Sequence, residues 1–209
     1  MNLKRKAFTL IEISIVLVII GIILASVMKG RDLIKSSQIK EYNQVFISQW
    51  VTIANSYFSR MGANIADGPD NGGNNAQDGF MDNDLGALVI TEALDSAGID
   101  VCNLIKTDIT SAALGCTNLN PYEKTIEGEA IGKVTTDVSF YSRTIDGKRR
   151  NQLRIRYMPE DVAQAIDTII DGKPDGKSGN CVKLSGGNGP AEDWGDLGAS
   201  TTMYIILDN

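Results

Sequence analysis

One stretch constrains this chain more than any other: Phe8 to Met28 are 21 almost wholly apolar residues. As a helix they span roughly 31 Å at about 1.5 Å per residue, the thickness of a bilayer's hydrocarbon core. A helix apolar on every side has no face to offer water, so this segment needs lipid or neighbouring helices around it. Lys4, Arg5 and Lys6 stand immediately before it. Positive charge there holds the N-terminus in the cytoplasm and sends the rest of the chain across. A secretory signal would have a shorter apolar core followed by a small-residue cleavage site, whereas this run passes directly into a further helical pattern.

Glu12 lies inside the run. A carboxylate in a membrane-spanning segment must be protonated, reach an interface or find a partner. The surrounding residues favour a partner. Lys6-Ala7-Phe8-Thr9-Leu10-Ile11-Glu12 resembles the prepilin peptidase signal of type IV pilins and type II secretion pseudopilins: a basic leader, a small residue, Phe, then Glu five places into the mature chain. The resemblance implies cleavage between Ala7 and Phe8 on the cytoplasmic face and N-methylation of the new Phe8 amine by the same peptidase. It also implies pairing of that amine with Glu12 of a neighbouring subunit, where scarce water strengthens attraction. Ala7 stands where the family usually has Gly. The implied partners are prepilin peptidase, an inner-membrane assembly platform, filament subunits of the same or related chains, and membrane lipid before assembly.

Beyond Lys29 the pattern turns amphipathic. Leu33, Tyr42, Val45, Phe46, Trp50, Ile53, Ala54, Tyr57 and Phe58 recur at helical spacing, and no Pro interrupts residues 8–61. This predicts one helix ending at Gly62, its second half packed on a globular head. The organisation read from the chain is a leader at 1–7, a transmembrane or filament-core helix at 8–28, its amphipathic continuation at 29–61, and an extracytoplasmic head at 62–209. In the head, a helix is predicted from about Leu85 to Ala97. Strands are predicted at Val134–Ile145, Leu153–Met158 and Thr201–Leu207, the first two as an antiparallel hairpin with a longish loop containing Asp146-Gly147. Pro159-Glu160-Asp161 opens another helix, with Val162, Ile166, Ile169 and Ile170 on one face and Gly172 at its end. The fold class is α+β, in the pilin-like arrangement of one long N-terminal helix and an antiparallel sheet. Ile166 to Pro174, with Gly179 and Val182, also resembles a C-terminal signature of a pseudopilin-like bacterial group, lacking its Lys and one Asp.

Composition narrows the chemistry. The chain contains no His, which removes the commonest general base and transition-metal ligand. Net charge is −6, and loss of Lys4, Arg5 and Lys6 would take it three units lower. Such an acidic chain repels nucleic acid except where positive charge is gathered. Arg143, Lys148, Arg149, Arg150, Arg154 and Arg156 are gathered in this way on one hairpin, to face DNA, an acidic filament neighbour or water. Three cysteines allow one disulfide, either Cys102 with Cys116 or a pairing that uses Cys181.

Residues 62–84 are rich in Gly, Asn and Asp. Asp67, Asp70, Asn74, Asp78, Asp82 and Asp84 offer the hard oxygens that calcium prefers, although their spacing is not that of an EF-hand. The loop is either a calcium site or a solvated, mobile segment too polar to bury. Gly172-Lys173-Pro174-Asp175-Gly176-Lys177-Ser178 is one residue short of a phosphate-binding P-loop, and reads as a turn. No nucleophile motif appears. Glu123 and Glu127 are the carboxylate pair that an alternative reading, a tethered enzyme or binding protein that does not polymerise, would use. That alternative leaves Glu12 without a role, so the sequence favours a non-enzymatic filament subunit.

Overall fold

The computed structural model describes residues 9–82, 87–111, 116, 119–187, 189–195 and 198–207. The chain divides into two units after Gln38. The N-terminal unit contains most of α1 (Leu10–Tyr42). Its large apolar side chains from Leu10 to Met28 are all exposed, from 45% at Ile20 to 90% at Leu10. The helix is long and apolar enough to cross a membrane by length and composition.

From Ile39 the helix belongs to the second unit. It passes through a π-helical turn (Asn43–Ile47) into α2 (Ser48–Met61). The apolar spacing reads as uninterrupted α-helix, so this wider turn leaves no mark in the sequence. Trp50, Ile53, Ala54 and Tyr57 form the buried face of α2. Gly62 ends it in the left-handed region at φ 70°, donating its N–H to the Phe58 carbonyl at 2.8 Å. A residue with a Cβ is disfavoured in that conformation, which is why the helix stops at this glycine.

Five antiparallel strands form one sheet: β1 (Glu123–Gly128), β2 (Gly132–Ile145), β3 (Lys148–Pro159), β4 (Cys181–Lys183) and β5 (Ser200–Leu207), in the order β1-β2-β3-β5-β4. The β2–β3 connection is tighter than the sequence suggests, because Ile145 pairs directly with Lys148. Asp146 and Gly147, at φ 49° and 78°, make the two-residue turn. Both φ values are positive, as a primed hairpin turn requires. Lys148, Arg149 and Arg150 are strand residues whose charge makes them read as loop. On one side of the sheet, Val138, Phe140, Leu153, Ile155, Met203 and Ile205 form the main core with α2. Trp50 sits at its centre, its ring 4.8 Å from Tyr122 and 5.8 Å from Phe140. A smaller cluster of Ile145, Val182, Leu184, Tyr204 and Ile206 occupies the other side.

Short helices complete the unit. The helix expected near Leu85 is α3 (Ala87–Ser96), followed by α4 (Val101–Leu104), whose N-cap is Asp100. Cys102 and Cys116 are joined as a disulfide, and Cys181 is free and buried. α5 (Glu160–Asp171) ends at Gly172, again left-handed at φ 78°. Its buried face is Val162, Ala163, Ile166 and Asp167, while Ile169 is exposed. The aspartate takes the place on the buried face that a purely apolar reading gives to Ile169.

Candidate functional site

The N-terminal helix starts on a reciprocal cap. The backbone N–H and the hydroxyl of Thr9 both donate to Glu12 Oε2 at 2.8 Å, and the Glu12 N–H donates back to Thr9 Oγ1 at 3.3 Å. This is a capping box, the T-x-x-E pattern that satisfies otherwise unpaired amides at a helix start. Thr9 is a site residue that sequence reasoning passes over, although Thr9-Leu10-Ile11-Glu12 displays the signal. Both bonds reach one carboxylate oxygen, and none reaches Oε1 among the described residues. Glu12 thus stands at the end of an exposed apolar helix with half of its acceptor capacity unspent. Ala7 and Phe8 lie outside the described residues.

Residues 2–28 match the family of the prokaryotic N-terminal methylation motif. The chain carries the prepilin-type signal of type IV pilins and pseudopilins. No curated protein and no solved structure matches it. The signal implies processing by prepilin peptidase and assembly into filaments, and together with the apolar helix it fits membrane anchoring. A pilin-type motif points to a structural rather than a catalytic chain.

The other candidate residues of this chain have local duties. The polar segment after Gly62 is not the solvated loop that its composition suggests: Asn64, Asp67, Asn71 and Asp82 are buried. Asp67 accepts the N–H groups of Asp78 and Gly79 at 2.9 and 3.1 Å. Asp82 accepts those of Asn74 and Asn75 at 2.7 and 2.8 Å, together with the Asn75 side-chain amide. Tyr57 donates to Asn71 Oδ1 at 3.0 Å, tying the segment to α2. Burial raises the affinity of the Asp82 carboxyl for its proton. The donors of Asn75, Asn74 and Gly68 outweigh that effect and hold it below the usual carboxylate range. A chain this polar is buried by turning its own carboxylates onto its own amides. Asp70 and Asn74 are exposed, and Asp78 is ion-paired to Arg149 at 3.0 Å. Asp84 lies outside the described residues. No group of three carboxylates or cysteines able to hold a metal ion occurs among those described.

The aspartates after α5 work in the same way. Asp167 Oδ2 accepts the Gly176 N–H at 2.9 Å and the Trp194 indole at 2.7 Å. Asp171 accepts the N–H groups of Asn180 and Cys181 at 3.0 and 2.7 Å, steering the chain into β4. A Cβ on Gly179, whose φ is +89°, would stand 2.3 Å from the Asp171 carboxyl carbon, so this position requires glycine. The residues resembling the C-terminal signature therefore form the end of α5 and the loop that leads from it into β4. α5 rather than a strand precedes Gly172 to Ser178, which removes the strand-to-loop geometry a P-loop needs. Burial pushes the Cys181 thiol up, away from the reactive thiolate. Glu123 and Glu127 sit four residues apart on β1, roughly 13 Å along an extended strand, which is too far for paired acid–base work on one bond.

The basic hairpin splits between the two sides of the sheet. Arg149 lies 4.4 Å over the Phe80 ring and pairs with Asp78. On the opposite side, the guanidinium groups of Arg143 and Arg154 lie 4.2 and 4.3 Å from the Tyr141 ring centre, and Arg156 pairs with Asp137 at 2.7 Å.

Proposed function

We propose that this chain is the structural subunit of a type IV pilus-like or type II secretion pseudopilus filament. Prepilin peptidase cuts between Ala7 and Phe8 at the cytoplasmic face of the bacterial inner membrane and methylates the Phe8 amine. The helix from Phe8 holds the subunit in lipid, with the head outside the cytoplasm as the positive leader dictates. An assembly platform then draws it into a periplasmic or surface filament, where neighbouring helices replace lipid around the same apolar side chains. In the filament, the Phe8 amine of one subunit meets Glu12 of another. Both charges leave water together, and each satisfies the other.

One observation carries this reading: Glu12 stands with Oε1 unbonded among the described residues, on a helix whose large apolar side chains are exposed, within the matched motif. A simple tether needs the apolar side chains and the cap at Oε2, but has no use for the second carboxylate oxygen. The test compares native cells with and without active prepilin peptidase, with the sheared extracellular or periplasmic filament fraction probed for this chain. The reading expects filaments containing the chain only when the peptidase is active. Equal recovery in both strains, or a chain confined to membranes while the peptidase works, would refute it.

A further inference from the structure

Asp167 stands where the pattern of α5 asks for an apolar residue, fully buried on the same face as Val162, Ala163 and Ile166. Its Oδ2 accepts two N–H groups, one from Gly176 in the loop after α5 and one from the Trp194 indole in the 189–195 segment. Its Oδ1 accepts none among the described residues. One carboxyl group thus joins three stretches of chain with half of its capacity. Packing is close where they meet. A Cβ on Gly176, at φ +65°, would stand 2.8 Å from the Glu192 carbonyl oxygen and 3.1 Å from the Trp194 ring. Loop and segment touch here, and the Asp167 carboxyl closes both onto the helix.

A buried carboxylate needs donors on both oxygens or a cation beside it. The charges that act on Asp167 are those of Asp171, further along α5, and Asp175, in the loop, and both are negative. Asp171 spends its oxygens on the N–H groups of Asn180 and Cys181, and Asp175 spends its own on Lys177 and Ser178. Cys181, on β4, feels Asp167 and Asp171, and burial keeps its thiol protonated. The nearby cations are engaged: Lys177 with Asp193, Lys183 with Glu160 and Glu192 at 3.1 and 3.7 Å, and Lys173 with the charge of Asp175. Burial pushes the Asp167 carboxyl up. The Trp194 and Gly176 donors pull it down, Asp171 and Asp175 add to the rise, and it lies above the usual carboxylate value. Oδ1 is the oxygen that can carry a proton without disturbing either hydrogen bond at Oδ2.

We propose that Asp167 is a proton-controlled latch: as the neutral acid it holds the loop after α5 and the Trp194 segment against the helix, and on losing its proton it releases them. The O–H bond is the one that breaks, and the proton passes to water. The bare carboxylate is a buried charge beside two like charges, and admitting water relieves it at the expense of the packing around Trp194. A raised folded pKa means that this stabilisation is fully present below the unfolded value of about 3.9 and is lost as pH rises through the higher folded value, the reverse of an acid such as Asp82. The latch lies within the head and stands apart from the filament reading.

The test follows tryptophan emission of the full chain in neutral detergent micelles from about pH 4 to about pH 8. The chain has two tryptophans, so the same titration of Trp194→Phe supplies the Trp50 background. Trp194 emission should move to longer wavelength in one single-proton step, with its midpoint above the ordinary carboxylate range. Asp167→Asn, which accepts both N–H groups but has no proton to lose, should hold the acid-form emission throughout. Flat emission from the unaltered chain would overturn the proposal, as would a step that survives in Asp167→Asn. A second measurement needs no variant: hydrogen-exchange protection of the Gly176 amide should fall on the order of tenfold through the same midpoint while that of α2 holds. Unchanged protection at Gly176 would overturn the latch however the variant behaves.

Discussion

Glu12 and Asp82 are both carboxylates on segments that look unsuited to them, and their surroundings treat them in opposite ways. Asp82 lies in a Gly- and Asn-rich stretch whose composition reads as too polar to bury, yet it is buried, with both oxygens taken by N–H donors of its own loop. Glu12 lies on an apolar helix whose composition is unsuited to a charge, yet it is exposed and, among the described residues, bonded through one oxygen only. A carboxylate whose valences are filled by nearby amides stabilises a local fold. One left half-filled on a surface that must be covered is poised for another molecule. The contrast separates the structural acids of the head from Glu12, the acid to which the proposed function gives assembly.

The sharpest way to break this contrast is Glu12→Ala. Filament yield should fall on the order of a hundredfold, as when one partner of a desolvated charge pair is removed. The melting of the head should stay within about 0.5 kcal/mol, because Glu12 belongs to the other unit of the chain. A melting shift comparable to the filament loss would place Glu12 among the structural acids. Trp50→Ala should do the reverse, costing the head about 3 to 5 kcal/mol by emptying the centre of its core, as read by chemical denaturation.

Asp82→Ala should cost about 2 kcal/mol by removing a charged acceptor from three amide donors. It should also remove a pH dependence. The folded pKa of Asp82 is lowered, so its stabilisation is present above the unfolded value of about 3.9 and is lost as pH falls through the lower folded value. Denaturation curves of the unaltered chain and the variant should converge in that acid window; a constant gap between them would count against this role. The smallest effect belongs to Thr9→Ala, which removes the cap at about 1 kcal/mol of helix-start stability. Filament yield should then fall far less than with Glu12→Ala. An equal loss would mean that the cap, and not the carboxylate, governs assembly.

What could be read from the chain follows from how local each signal is. The apolar run, the stop at Gly62, the Asp146-Gly147 turn and the close of α5 at Gly172 are set by neighbouring residues, and they are legible. β1 is missed because Glu123-Lys124-Thr125-Ile126-Glu127-Gly128 has too few apolar residues to show a period of two, and pairing with β2 alone makes it a strand. β4 is three residues long, and Asp171 steers the chain into it from ten residues away. The burial of Asp67 and Asp82 is illegible for the same reason: their donors come from turns that exist only once the loop has folded. The Thr9–Glu12 cap was there to be read, but an intramembrane glutamate directs attention to partners outside the chain.

The central claim, a processed chain whose new amine meets Glu12, is tested most directly by mass spectrometry of the N-terminal peptide from filaments or membranes of native cells. The account predicts a peptide that begins at Phe8 and carries one methyl group on its amine. A peptide that begins at Met1, from cells whose peptidase processes other substrates, would contradict it.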